Sequence, residues 1–483
     1  MKRLLTLVLA LCILIPGLAR AGVKQDLSPQ DYAYLMGIAR DSWACIDFLV
    51  EPKTGLPYDV SRKKPTGTSV SNIGVYVAAV SIATEMKFVD RKEAVKKLSL
   101  LLDSFEKFET WNGFTQSWHD VVTLAPGDDP WVSILDSGNL AAGFIVARQE
   151  FPELNKRISK LLDAMDWSKV YNPGRKLLMG GYNMKTQKLN PSWLLNMMGT
   201  DARGAFIESI GSGKVPPEMW GKVTTGMEYK YGLRYYQPGW SGGGLFMQMI
   251  DTCFFDMRYT NMWKSAASFA RAQIFHAKVI NAPVWGWSAC DSPSEGYLGY
   301  NNWRDYVVTP HASVLPISIF PNDSIANLRK LEELGVRQDY ELDGKKYAFG
   351  FRDSVDFVKG KPTNTYLVLD QGMLFLSLCN YLSDGKVWEL SNRDPIIRNA
   401  RKLIPDFQPN KEDWEKFTAG LYPKNMYVAV KSVYSKKEYK VGETVQCDIS
   451  VICDDKDVNG EYTVKWRLFD KNSGRSGFSL WGR

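Results

Sequence analysis

A chain of 483 residues that is 45% hydrophobic is long enough to bury one large core plus a smaller unit. Its formal charge of +7 comes from 60 Lys and Arg against 53 Asp and Glu, scattered without a basic run, which argues against nucleic acid as a partner. Three separated histidines, His119, His276 and His311, and seven cysteines without a CxxC pair argue against a zinc site and a small disulfide framework; no metal and no cofactor is expected.

The chain opens with Met1-Lys2-Arg3, then an apolar run from Leu4 to Leu18 broken by Pro16 and Gly17, then Ala19-Arg20-Ala21. That pattern predicts a secretory leader over 1–21, cleaved after Ala21, and so a periplasmic or secreted protein. Its apolar run is shorter than the roughly 20 residues of a membrane-spanning helix, and no later stretch is long and apolar enough either. Loss of Lys2, Arg3 and Arg20 with the leader lowers the charge to about +4.

From about residue 29 to 405, helical periodicities alternate with Gly-, Pro- and Asn-rich loops. Ser28 caps a predicted helix from Pro29 to Leu49, in which Tyr32, Leu35, Ile38, Ala39, Trp43 and Ile46 fall at helical spacing. Similar patterns predict helices at about 71–86, 91–108, 136–150, 153–164, 196–209, 242–257, 260–280, 311–319, 323–334, 367–383 and 394–403. With only brief strand-like interludes, such as Lys345 to Phe351, this mainly α pattern over 22–423 suits a double ring of paired helices with the loops of one end around a cleft. Periodicity alone also admits an α-solenoid, although no fixed-period repeat is visible. After about residue 424, MYVAVKSVY, YKVGETVQCDISVIC and GEYTVKWRLF alternate like strands. They predict a short β-sandwich-like, immunoglobulin-like segment over 424–483, incomplete because about four strands fit where such sandwiches use about seven.

Sixteen tryptophans and twenty-three tyrosines are many, and several stand beside Gly, Asp and Asn in loops. Flat aromatic faces suit the C–H faces of sugar rings. Hydrolysis of a glycosidic bond needs two carboxyl groups, one protonated and one ionised, so acids set in aromatic, Gly-rich loops are the natural candidates. Four clusters qualify: WNGFTQSWHD (Trp111 to Asp120) with SILDSGNL around Asp136; GTDAR (Gly199 to Arg203) running to GSGKVP; PGWSGGG around Trp240 with WGWSACDSPSEGY (Trp285 to Tyr297); and TPHAS with YAFGFRD and LDQG.

In this order, these strings resemble the glycoamylase-like domain family, which includes endo-β-1,2-glucanases and the corresponding domain of cyclic β-1,2-glucan synthases. The resemblance covers roughly residues 30 to 405. Its most specific pieces are WHDVVTLAP followed by SILDSGNLAAG, TDARGAFIESIGSGKVPPEMW, and WGWSACDSPSEGY. It implies an (α/α)6 toroid and action on a β-linked glucan, β-1,2-glucan first. Asp201 stands where relatives usually carry Glu, one methylene longer. Asp291 matches the acid after the Trp-Gly string of the glucanases, and Asp120 and Asp136 match acids of the Trp-aromatic-Asp and Asp-Ser-Gly-Asn-Leu strings. The synthase-type domains carry a Glu near the position of Ala289, which puts a synthase-like transglycosylation in doubt.

Asp201 is thus the candidate general acid, its alternative an N-cap for the helix beginning near Ala202. Asp291 or Asp120 is its candidate carboxylate partner, against a turn-former at Asp291 and a structural partner of Arg or backbone N–H at Asp120. Glu208 and Glu295 are further partners, Glu208 reading more readily as a solvated helix residue. Candidate sugar contacts are Trp111, Trp118, Trp240, Trp285, Trp287, Tyr297, Asp136, Arg203 and His311. For Arg203 the alternative is a structural salt bridge, for His311 a structural loop histidine, for Asp370 a helix cap, and for two or three of the tryptophans the core. The expectation is an exported, monomeric glycoside hydrolase whose partner is an oligo- or polysaccharide. The alternatives are a non-catalytic glycan-binding or polysaccharide-assembly protein on the same fold, and a hydrolase of another export polysaccharide.

Overall fold

The computed structural model describes residues 27–61, 66–239, 243–299, 303 and 306–421, and beyond them the strand segments 429–434, 447–452, 464–465, 468–469, 476–477 and 481–482. The leader expected over 1–21 and Trp240 lie outside the described residues.

Fourteen helices stand among these residues: α1 (Pro29–Phe48), α2 (Val70–Glu85), α3 (Arg91–Phe105), α4 (Ile134–Glu150), α5 (Asn155–Ala164), α6 (Arg203–Gly211), α7 (Leu245–Met249), α8 (Asn261–Val279), α9 (Pro310–Val314), α10 (Pro321–Glu333), α11 (Val368–Leu382), α12 (Lys386–Arg393), α13 (Pro395–Leu403) and α14 (Lys411–Leu421). Ser28 does cap α1, accepting from the Asp31 N–H, with Pro29 pre-set in the first turn.

Burial sorts the helices into two layers. All of Val70 to Ala83 in α2 is buried, as is all of α6, and nearly all of α4, α7, α9 and α11. A helix apolar all round belongs in the interior. By contrast α1, α3, α5 and α10 bury one stripe and show the other face to solvent. The inner helices pack in the order α4 to α2 to α11 to α9, with α6 on the other side of α4. Approach is closest between α2 and α4, where Gly74 and Gly143 meet: a Cβ on Gly143 would lie 2.0 Å from the Gly74 carbonyl oxygen. This is the arrangement of an α/α toroid.

Outer and inner helices alternate from α1 to α6, then the rule breaks. Between α6 and α7 stand a 3-10 turn (Pro217–Lys222) and a hairpin pairing Met227–Lys230 with Leu233–Tyr236. The missing outer position is filled from the far end of the chain, since α13 packs on α6 and α12 on α4. Asn399 of α13 donates to the Gly211 carbonyl at 2.8 Å, and buried Arg148 of α4 forks onto Asp394, the N-cap of α13, at 2.5 and 2.7 Å. Such bidentate charge-assisted pairs fix geometry as well as adding energy.

Several helical expectations change, and those at 242–257 and 311–319 shorten to α7, followed by a 3-10 turn at Ile250–Cys253, and to α9. The apolar run WLLNMMG, read as the start of a helix at 196, instead pairs Leu194–Leu195 with Leu178–Met179 as a short antiparallel strand, and α6 begins only at Arg203. Helices α12 and α14 were not predicted. Of the β-sandwich-like segment, 429–434 pairs antiparallel with 447–452, 464–465 with 481–482, and 468–469 with 476–477; the rest of 424–483 lies outside the described residues. Cys45, Cys253, Cys290 and Cys379 are buried free thiols of the helical part. Among the described residues, no helix is long and apolar enough to cross a membrane.

A candidate active site

Acids gather where the inner helices begin. In α4, Ser133 is the N-cap, and the Asp136 carboxylate in the first turn accepts from the Ser71 hydroxyl of α2 at 2.7 Å. Burial raises the Asp136 pKa, opposed by the hydroxyls of Ser71, Ser133 and Ser117. Asp201 precedes α6 but does not cap it: the N-cap is Ala202, and the Thr200 hydroxyl takes the Ala202 N–H at 3.2 Å. The Asp201 side chain is partly exposed, with Oδ1 sealed and without a hydrogen-bond partner, and its own backbone N–H bonds the carboxyl. Burial first, then the negative charge of Asp136, pushes Asp201 up to about 7. Near neutrality a substantial fraction of this carboxyl holds its proton, which is what a general acid requires.

A second group lies further along the rim. Asp291 sits in strand Cys290–Ser292, paired to Gly296–Leu298 with Tyr297 opposite. Its carboxylate accepts from the Thr365 hydroxyl at 2.5 Å, and its N–H donates to Asp353 Oδ2 at 2.5 Å. Asp353 is fully buried, and burial, with the charge of Asp370 in the first turn of α11, raises its carboxyl well above the ordinary value. Asp370 Oδ2 lies 3.1 Å from His311 Nδ1, which also meets the Thr309 hydroxyl at 2.7 Å. Between the two groups stands Asp59, accepting from Asn72 of α2 at 2.8 Å and raised by burial and by the nearby Asp291 charge. The acids thus form one arc on the N-terminal rim of α2, α4, α6, α9 and α11, where helix dipoles favour negative charge.

Several expectations for single residues are revised. Asp120 organises its own turn: Oδ1 accepts from the Val122 and Thr123 N–H groups and the Thr123 hydroxyl, Oδ2 from Thr66. Those bonds leave it below the usual carboxylate range despite burial, so it is poorly placed to exchange a proton. Arg203 is 1% exposed and donates to both oxygens of Asp251 and to the carbonyls of Met198 and Gln248; it ties α6 to α7 and does not reach a sugar. His311 is fully buried and, pushed down to about 4 by burial, neutral. Trp285 and Trp287 are core residues, their backbones held by Asn327 and Gln273, with Trp287 stacked near Trp303. One face of Trp111 is covered by Tyr182, 3.9 Å between centroids. Trp118 and Tyr297, 38% and 63% exposed, are the expected platforms that remain open. Glu208 is not solvated: it is fully buried, and neither oxygen has a hydrogen-bond partner. Glu295 accepts from the Tyr306 hydroxyl at 2.6 Å.

Asp59, Asp353 and Asp251 were not singled out from sequence. Asp353 closes the quoted string YAFGFRD, and Asp59 follows LPY; nothing local marks them, their partners Asp291 and Asn72 lying 62 and 13 residues away in other elements. Among the described residues, no group of three or more His, Cys, Asp or Glu is arranged to hold a metal ion.

Comparison with known proteins covers the same span as the ordered strings. Residues 206–395 match the Glycoamylase family model, described as "Putative glucoamylase", and residues 37–193 match one described as a protein of unknown function (DUF3131). The cyclic β-(1,2)-glucan synthase NdvB of Rhizobium meliloti (strain 1021) is 24% identical over 286 residues, which is 54% of this chain and 10% of the synthase. The chain therefore spans only a small part of that relative's length. A crystal structure from Bacteroides fragilis NCTC 9343 with the same glucoamylase description is 17% identical, with a TM-score of 0.67 over 79% of this chain and 99% of that one. The endo-β-1,2-glucanase of Chitinophaga pinensis, solved with sophorotriose and glucose, is 16% identical, with a TM-score of 0.66 over 78% and 98%. At such identities the structural likeness speaks for the fold.

Proposed function

We propose that this protein is an exported glycoside hydrolase that cleaves a β-linked glucan, with β-1,2-glucan as the leading substrate. Asp201 is its general acid and Asp291 the carboxylate partner. The observation that carries the reading is the state of Asp201: a part-exposed carboxyl on the rim of the ring, its sealed Oδ1 without a hydrogen-bond partner, held up to about 7. A carboxyl so placed protonates the glycosidic oxygen as the bond breaks, and Asp136 beside it, with Asp59 and Asp291 further along the arc, supplies the negative field that favours an oxocarbenium-like transition state. Trp118 and Tyr297 offer open aromatic faces for sugar rings. Export rests on the predicted leader, and the substrate class on the sequence resemblance and the names of the glucanase and synthase relatives.

The test is incubation of the purified mature protein with linear β-1,2-glucan and a panel of other β-glucans. New reducing ends on β-1,2-glucan that fall about 10²–10⁴-fold in Asp201→Asn are expected, the contribution of a positioned acid. Binding without cleavage would replace this reading with a glycan-binding role, and turnover of another polysaccharide alone would replace the substrate.

A further inference from the structure

The end of the ring opposite the acid arc holds a cavity of its own, of about 290 Å³. Helix α11 starts at the arc with Asp370 and ends at Leu382, and Asp384, just beyond, lines the cavity. The 12 helical positions from Asp370 to Leu382 put it roughly 18 Å from the arc. Its other walls include Arg258 and Tyr259 before α8, Trp263 in the first turn of α8, Trp388 in α12 and Trp414 in α14. Trp263 and Trp388 are buried and meet edge to face at 6.2 Å, and the Trp388 indole N–H is turned inward onto the Thr252 carbonyl at 2.6 Å. Half-buried Trp414 stands 6.1 Å from Tyr259 and 6.4 Å from Trp263. The sides of the cavity are therefore rich in aromatic carbon. Tyr259 is held at φ 67°, in the left-handed region that a bulky side chain rarely adopts, and its carbonyl is fixed by the Asn410 N–H at 3.0 Å. Backbone strain of this kind persists only where the surroundings over-determine it, and it clusters at ligand sites.

We propose that this cavity is a second carbohydrate site, remote from the acid arc, that takes one or two rings of a neutral sugar. Its polar groups select that class. Arg258 Nε and Nη2 fork onto Asp256 at 2.8 and 2.9 Å. The third nitrogen, Nη1, lies 3.8 Å from a carboxylate oxygen of Asp384, beyond hydrogen-bond reach, and the Asp384 side chain is 67% exposed. A donor and an acceptor thus stand side by side, neither satisfied by the other. Each sugar hydroxyl both donates and accepts, so adjacent hydroxyls bridge such a pair while a C–H face of the ring rests on Trp414 or Tyr259. An anion would meet the carboxylates of Asp256 and Asp384. A cation would meet Arg258, and Lys411, whose Nζ stands 5.5 Å from the centre of the Tyr259 ring. A neutral polyol avoids both conflicts. The volume falls at the lower end of the roughly 300–1,000 Å³ of small-molecule sites, which suits a mono- or disaccharide unit better than a long chain.

The cavity calls only for a neutral sugar, and the choice of a β-1,2-linked probe rests on the proposed function. The probes are therefore sophorose together with glucose, cellobiose and maltose. In protein with 15N-labelled indoles, carrying Asp201→Asn to prevent turnover, the Trp414 N–H signal is identified by its loss in Trp414→Phe. At millimolar concentrations of sophorose, or of another sugar of the panel, that signal should shift and saturate. Asp384→Gly removes the carboxylate yet suits the left-handed backbone at that position, φ 58°. Tm should then hold while Kd rises about tenfold or more, the loss of a hydrogen bond to a charged group. A Trp414 signal that no sugar of the panel moves overturns the site, and so does an equal Kd in Asp384→Gly. Movement of the Trp118 signal without Trp414 also overturns it, because the sugar then binds at the arc alone. A wild type that cleaves no glucan while its Trp414 signal responds to sugar would overturn the proposed hydrolase and leave this site standing.

Discussion

Ser71 and Asn72, consecutive residues in the first turn of α2, hold two different carboxylates of the arc: Ser71 donates to Asp136 at 2.7 Å and Asn72 to Asp59 at 2.8 Å. One turn of one helix thus sets the spacing of two acids that stand 77 residues apart in the chain. Ser71 also meets Asn139 at 3.0 Å, so the Asp136 side is tied to α4 twice.

Ser71→Ala should move the activity profile in a direction fixed by electrostatics. Without the hydroxyl, Asp136 rises further and holds its proton to higher pH. A neutral Asp136 repels Asp201 less, so Asp201 falls from about 7. The alkaline limb of kcat against pH should shift to lower pH; a limb that stays or moves upward contradicts the Asp136–Asp201 coupling.

Trp118 and Asp120, two residues apart in one strand, should separate binding from loop integrity. Trp118→Ala removes an open aromatic face and should raise KM about 2–12-fold, the equivalent of about 0.5–1.5 kcal/mol of ring contact, with kcat little changed. Asp120→Ala removes the acceptor of its own turn and should show as a loss of about 0.5–2 kcal/mol in stability. Steady-state kinetics beside thermal unfolding of both variants distinguish the two effects.

Arg203→Ala should act on stability before chemistry. It strands buried Asp251 and frees the carbonyls of Met198, before α6, and Gln248, in α7. Breaking a buried pair in this way costs about 3–5 kcal/mol, to be read as a lowered urea midpoint at unchanged slope.

Glu208→Met should stabilise the protein, more at pH 8 than at pH 4. Burial, with Asp394 nearby, raises the Glu208 carboxyl well above its ordinary value. The folded state then binds that proton more tightly than the unfolded one, so stability is greatest at low pH and erodes as pH rises above about 4.3. An apolar side chain of similar length removes both the titration and the unpaired oxygens, a gain of about 1–3 kcal/mol at pH 8. A variant less stable than wild type at pH 8 would mean that Glu208 has a partner.

Much of the helical plan was legible in sequence. The boundaries of α1, α2, α8, α10, α11 and α13 fall within two residues of the periodic segments, because caps such as Ser28 and amphipathic stripes are local signals. The start of α6 was not legible, because an apolar run of seven residues reads alike in a helix and in a buried strand. Asp136 and Asp201 emerged as rim acids from their strings, whereas the contact of Asp353 with residue 291 spans 62 positions and leaves no local trace. The tryptophans misled for a related reason. Trp285 and Trp287 stand in a Gly-rich loop that reads as solvent-facing, but that loop passes through the interior, pinned by Gln273 and Asn327.

The break in helix alternation after α6 has a consequence in time. The Arg148–Asp394 pair joins positions 246 residues apart, so during synthesis α4 and α6 wait for most of the remaining chain before their outer neighbours arrive. Contacts of such separation slow folding, because the intervening chain must be ordered first. Until α13 arrives, a guanidinium and the apolar flank of α6 stand uncovered. That is the interval in which a holding chaperone has a defined surface to recognise.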